Sequence, residues 1–299
     1  AGSIEQPRLA LNLESPRLGY RGIGQVSGLK LRANLAGERD ALLSLDLSLA
    51  RLDTATQPGI ASNVTARLSG TQSAHRLELD ATLTGSNRLR LSANGGLLPD
   101  ANTRYARWQG RLQDLRLEGE NAARHIRLRE PASLNLSESA WSFGPAELTG
   151  GESGDWQARI TADADLQRLQ INLSGTVGAA TDASPRGSFD GRLEAGMDGP
   201  WTLATGSPWQ GRAHIETSNL AWLGELLGEG WQTGGRLAGT LQLAGTPARP
   251  LTSGRFSGEN LVLRLPEQGL HLSRGELSAN LEDNLLRIGR LTFASELTS

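Results

Sequence analysis

The chain contains no cysteine, which removes disulfide staples, thiolate catalysis and cysteine-held metals together. That absence fits a reducing or an oxidising compartment equally well. Neither sign of charge is in excess: 30 Lys and Arg face 32 Asp and Glu, so the basic stripe of a nucleic-acid binder is missing. Lys30 is the single lysine, and the other cations are arginines able to pair with phosphates. No run of about 18 apolar residues is present, so nothing here spans a membrane as a helix. Aromatics make up only 4%, low for a sandwich core. Valine and isoleucine, the usual strand formers, are scarce beside leucine.

Catalytic patterns are missing as well. There is no Gly-x-Ser-x-Gly elbow, no phosphate-cradling loop ending in Lys and no dinucleotide fingerprint. Gly22-Ile23-Gly24 reads as a turn. His75, His125, His214 and His271 lie too far apart for a local metal site and read as surface strand residues. Carboxylates are scattered singly. Asp163 and Asp165 share a strand face, where like charge points to solvation rather than acid–base work. The tryptophans fall at strand starts or turns, where they cover sheet edges. These residues describe a protein that is not an enzyme and holds no cofactor or metal.

What is abundant is leucine at every second position, as in Leu43-Leu45-Leu47-Leu49 and Leu261-Leu263-Leu265, with Arg, Glu, Asp, Ser or Asn between. Period two puts alternate side chains on opposite faces of a strand. The predicted strands include Ala74–Leu83, Asn87–Ala93, Trp108–Leu117, His125–Arg129, Ser133–Ser137, Trp156–Leu166 and Leu169–Ser174. They continue with Ser188–Ala195, Gln210–Thr217, Gly235–Ala244, Gly254–Leu265, Leu270–Asn280 and Leu285–Ala294. Turns are expected at Thr84–Asn87, Asn94-Gly95-Gly96, Pro99-Asp100 and Thr181–Gly187. Leu112 and Leu115 are three apart, so a bulge near Gln113-Asp114 is needed to keep both on one face. One segment has helical spacing: a short amphipathic helix near 219–228, capped by Ser218 or Asn219, reads as a satellite packed on the sheet. A soft break is expected near 178–187. The start Ala1-Gly2-Ser3 and the unfinished pattern at Thr298-Ser299 suggest residues 1–299 are one segment of a longer protein.

Several runs carry a family resemblance. They are Trp108–Glu118, Ile126–Leu136, Ala140-Trp141 with Ala146–Gly151, Asn219–Leu223, Gly239–Pro247 and Pro250–Phe256. From about His75 onward their order resembles the TamB family, the inner-membrane and periplasmic subunit of the translocation and assembly module. The first seventy residues match only in style. The resemblance would place cysteines at positions 140 and 149; here stand Ala140 and Thr149.

The resemblance implies an elongated all-β fold, the β-taco: a sheet folded lengthwise around an apolar trough. It implies a periplasmic protein, anchored in the inner membrane outside this segment, that reaches toward a TamA-type outer-membrane barrel. It also implies kinship with AsmA-like bridge-type lipid transfer proteins, with phospholipid as cargo. On this reading the lining residues are Leu43, Leu45, Leu47, Leu77, Leu79, Leu89, Leu91, Leu112, Leu115, Leu117, Leu134 and Leu136, then Leu241, Leu243, Leu261, Leu263, Leu265, Leu277 and Leu281. A one-residue slip would turn any of these strands over.

Three functional readings stand side by side. The first is a conduit that carries phospholipid acyl chains between the membranes and supports outer-membrane biogenesis. The second is a scaffold for outer-membrane and autotransporter proteins, working with TamA and pairing with unfolded clients by β-augmentation. The third is a closed sandwich or solenoid whose leucines are ordinary core.

Overall fold

The computed structural model describes residues 8–20, 24–36, 40–54, 58–99, 106–151, 154–178, 186–221, 223–224 and 230–295. They are almost entirely β. The chain groups into two compact units, Ala1–Glu138 and Ser139–Ser299.

The first unit holds β1 (Arg8–Tyr20), β2 (Gly24–Ala36), β3 (Leu42–Thr54), β4 (Ala61–Thr71), β5 (His75–Leu83), β6 (Asn87–Pro99), β7 (Ala106–Glu118), β8 (Ile126–Leu128) and β9 (Ala132–Leu136). From β1 to β7 each strand pairs antiparallel with the next. The short β8 and β9 share the far edge of β7. The second unit holds β10 (Trp141–Gly150), β11 (Trp156–Ala164), β12 (Arg168–Val177), β13 (Gly187–Gly196), β14 (Trp209–Thr217), β15 (Gln232–Thr246), β16 (Arg249–Leu265), β17 (Leu270–Glu282) and β18 (Leu285–Ser295). It too is a sequential antiparallel meander. Antiparallel neighbours need only short connections, which is what the Gly, Asn and Ser breaks supply.

Register in these sheets is kept through phase slips. Gln113 has no partner: Leu112 faces Ala93 and Asp114 faces Ser92. This bulge returns Leu115 and Leu117 to the side of Leu112, as the spacing predicted. A second slip falls at one level of four successive strands, at Pro16, Gly28, Ala50 and Asn63. Leu13 and Leu18, Leu29 and Val26, Leu49 and Leu52, and Val64 and Ala61 thereby share a side. Gly28 (φ 64°) and Asn63 (φ 49°) adopt the left-handed backbone that the slip requires.

Four expectations are corrected. Asn94-Gly95-Gly96 is no turn but the interior of β6, where Gly95 faces Gly110 and Trp108 occupies the space above both. β11 ends at Ala164, so Asp165 and Leu166 lie in the turn to β12 instead of on the strand. The histidines are half-buried rather than surface residues. Trp108 covers the sheet interior, not an edge. The predicted helix is helical at Ala221, Leu223 and Gly224, and Asn219 Oδ1 caps it by accepting the Ala221 N–H at 2.9 Å. Asn219 and Leu220 precede the helical residues, and Trp222 and residues 225–228 lie outside the described ones, as do residues 21–23, Asp100 and residues 179–185. β12 and β13 pair on either side of the last gap, Val177 opposite Gly187.

Candidate functional site

Residues opposite each other in an antiparallel pair point to the same side of the sheet. In the first unit one such row runs Leu11, Ala33, Leu45, Leu68, Leu77, Ala93, Leu112, Ala132. It crosses eight strands without a polar side chain. The next row along the strands contains Leu13, Leu31, Leu47, Ala66, Leu79, Leu91 and Leu115. In the second unit the corresponding row runs Leu148, Ala158, Gly175, Phe189, Ile215, Gly239, Phe256, Ala279, Ile288. It crosses all nine strands of that unit, again with no polar group.

The register places the sequence-predicted residues as follows. Leu43, Leu45, Leu47, Leu77, Leu79, Leu89, Leu91, Leu112, Leu115, Leu117, Leu134 and Leu136 stand on one face of the first unit's sheet. Leu241, Leu243, Leu277 and Leu281 stand on one face of the second. Leu261 joins them by packing against Gly258 and Gly275. Leu263 and Leu265 continue its alternation opposite Leu272 and Leu270. Leu43, Leu112 and Leu265 are buried, and the rest are half-buried.

Burial on these faces has a particular form. Most of the fully buried apolar residues are alanines, among them Ala33, Ala81, Ala93, Ala132, Ala146, Ala162 and Ala279. A small side chain is covered by its taller neighbours, while the tips of leucines keep part of their area in water. That is the pattern of a face covered by its own side chains rather than by a second packed layer. Local clusters thicken it at Ala61, Val64 and Ala81 under Leu49 and Leu79, and at Ala164, Leu169 and Ala195 under Trp141 and Trp209.

The opposite faces are ionic. In the first unit the row Arg32, Asp46, Arg67, Glu78, Ser92, Asp114 lies between two apolar rows. Its groups pair locally: Arg67 with Asp46 at 2.9 Å, Arg76 with Glu78 at 2.8 Å, Arg116 with Asp114 at 3.1 Å. All are well exposed, so each pair contributes little to stability. A shallow concavity of about 670 Å³ lies on this charged side, bordered by Lys30, Arg32, Asp46, Arg67, Glu78 and Asp80. In the second unit Arg264 faces His271, and Arg264 Nε and His271 Nε2 are buried without hydrogen-bond partners among the described residues.

Reading the sequence missed the aromatic and glycine residues of the apolar faces. Trp108 Nε1–H donates to His75 Nε2 at 2.7 Å, and His75 Nδ1–H donates to the Thr71 carbonyl at 2.9 Å. Phe189 pairs with Gly175, and Phe256 with Gly239. Only the cross-strand register reveals these pairs, since the partners are far apart in sequence.

Among the described residues, no group of three His, Asp or Glu side chains is placed to hold a metal. None of the helices there is long and apolar enough to cross a membrane. No curated protein and no solved structure matches the chain. A family model does: TamB, N-terminal domain, over residues 1–143. The match takes in the first seventy residues, where the sequence shows resemblance only in style, and most of the run from Trp108 to Gly151. The match covers just under half of the chain and supports its membership in the TamB family, whose proteins are periplasmic, inner-membrane-anchored and associated with TamA in the translocation and assembly module.

Proposed function

We propose that residues 1–299 are a periplasmic β-taco segment of a longer, non-enzymatic phospholipid conduit between the inner and outer membranes, serving outer-membrane biogenesis. The observation that carries this reading is the unbroken apolar row in each unit, eight strands long in the first and nine in the second. A row running along the hydrogen-bonding direction gives an acyl chain contact at every strand, at about 4.8 Å intervals. Each buried CH₂ gains about 0.8 kcal/mol. Leucine offers no hydrogen bond that would pin the chain, so it slides from strand to strand while its headgroup stays in water. The candidate leucines line this path.

Two substitutions test it. Leu45→Asp and Leu77→Asp place a carboxylate in the row of the first unit, at a cost to a passing chain of about 2 kcal/mol or more. Protein purified without detergent is then extracted and its phospholipid quantified by mass spectrometry. The wild type is expected to carry phospholipid and both variants to lose most of it, while Ser69→Asp on the charged side changes nothing. An empty wild type, or equal loading of all four proteins, overturns the proposal.

A second reading has one observation of its own. Among the described residues β18 pairs only with β17, and Leu286, Ile288 and Leu291 are each more than half exposed. An exposed apolar strand of this kind suits pairing with an extended client strand by β-augmentation. Crosslinks from β18 to an unfolded outer-membrane protein would support it. Normal client assembly with that strand blocked would count against it.

A further inference from the structure

Five aromatic rings on the apolar faces occupy the places where glycines lack a side chain. Trp108 fills the space above both Gly95 and Gly110. Trp156 does so at Gly150, Phe189 at Gly175, Phe256 at Gly239 and Phe293 at Gly275. A Cβ at any of these six glycines would come within 3.0 Å of a ring atom. None of the six has the positive φ that makes glycine a conformational necessity. At Gly95, Gly110 and Gly175 a backbone carbonyl crowds the same space, whereas at Gly239 only side chains do, Phe256 foremost.

Side chains in a sheet normally stand roughly perpendicular to it. A ring that takes a neighbour's Cβ position instead leans across the adjacent strand and lies down on the backbone. A β-branched pair at the same sites would pack well and avoid the entropic cost of glycine in a strand. Pairing the smallest residue with the largest ones lowers the relief of the face. Trp108 is additionally tethered through His75 to the Thr71 carbonyl.

We infer that these glycine–aromatic pairs are the relief-setting positions of the apolar faces, keeping them low enough for slim, unbranched acyl chains. The inference rests on the conduit reading for its ligand, but the ring placement is a property of the protein alone. An added methyl at the glycine forces the ring upright into the path of the chain. Removal of the ring then relieves the block.

The test uses the full chain and cis-parinaric acid as a fluorescent acyl probe. Gly239→Ala is expected to weaken probe binding roughly tenfold. The double variant Gly239→Ala with Phe256→Ala is expected to recover most of that loss. Ring placement is read separately in the wild type by NMR: the Hα resonances of Gly175 and Gly239 should be shifted upfield by the rings above them. Unshifted resonances overturn the inference whatever the variants do, including a variant that fails to fold. A wild type that ignores the probe overturns the conduit reading and with it the ligand assigned to these pairs. Tight binding by the wild type together with unchanged binding by Gly239→Ala overturns the inference and leaves the conduit standing. A double variant no better than the single one also overturns it, because the loss is then general damage.

Discussion

Asp165 shows how single residues hold the turns between strands. Its Oδ1 accepts the Gln167 and Arg168 N–H groups, both at 2.8 Å, and the turn closes with the Asp165 N–H on the Arg168 carbonyl at 2.9 Å. The bond from Gln167, then that from Arg168, holds the carboxyl below its ordinary value of 3.8. Asp53 is lowered in the same direction, first by the Arg51 guanidinium and then by the Gly59 N–H. A carboxylate whose pKa is depressed by folding stabilises the folded state above its unfolded value. That contribution fades as the pH falls through the lower folded value. Asp165→Asn retains an acceptor oxygen and removes the charge. Thermal melting is therefore expected to show the variant less stable at pH 7, with the gap closing as the pH drops below about 3.8. A gap that stays constant into acid would show that the charge is irrelevant to this turn. His75 and Trp108 make the complementary case, since they stabilise a side-chain position rather than a turn.

At the scale of the strand, the bulge at Gln113 exists because Leu112 and Leu115 have opposite parity. Deleting Gln113 brings them two apart, and Ser92 and Ala93 then face Asp114 and Leu112 in unbroken alternation. The deletion is expected to change stability by no more than about 0.5 kcal/mol. Deleting Arg90 from β6 is the contrast: it makes Leu89 and Leu91 neighbours and sends one of them to the charged side. A loss of about 3 kcal/mol or more is expected from that reversal. Denaturant titration of the two deletions distinguishes a tolerated bulge from an essential one. The same parity shows how far the sequence could be read. Strand existence and this bulge were legible because period two survives in the leucines. Asn94-Gly95-Gly96 misled because glycine signals a turn by default, and here it makes room for Trp108, which is near in space and distant in sequence. The common level of Pro16, Gly28, Ala50 and Asn63 was likewise hidden, since it is set by pairing and not by any one strand. The candidate leucines could be chosen by type, but only cross-strand register gives them a shared face.

Taken as a whole, the molecule divides its free energy unequally between its two kinds of face. The formal charge is −2, and the ion pairs are exposed, as with Arg67–Asp46 at 69% and 55%. Such pairs are screened by salt and contribute from nothing to about 1 kcal/mol each. The apolar faces are where area remains to be removed from water: the face leucines are mostly half-buried, and Leu286, Ile288 and Leu291 on β18 exceed half exposure. Stability should therefore respond to an apolar ligand and hardly to ionic strength. Raising NaCl to about 0.5 M is expected to shift the melting temperature by less than about 2 °C. A short-chain phosphatidylcholine held below its micelle concentration, at about a hundred times its Kd, contributes about 2.7 kcal/mol by mass action and raises the melting temperature by roughly 5 °C. The converse result, a large salt response with no response to lipid, would locate the working surface on the charged side, around Lys30, Arg32 and the concavity they border.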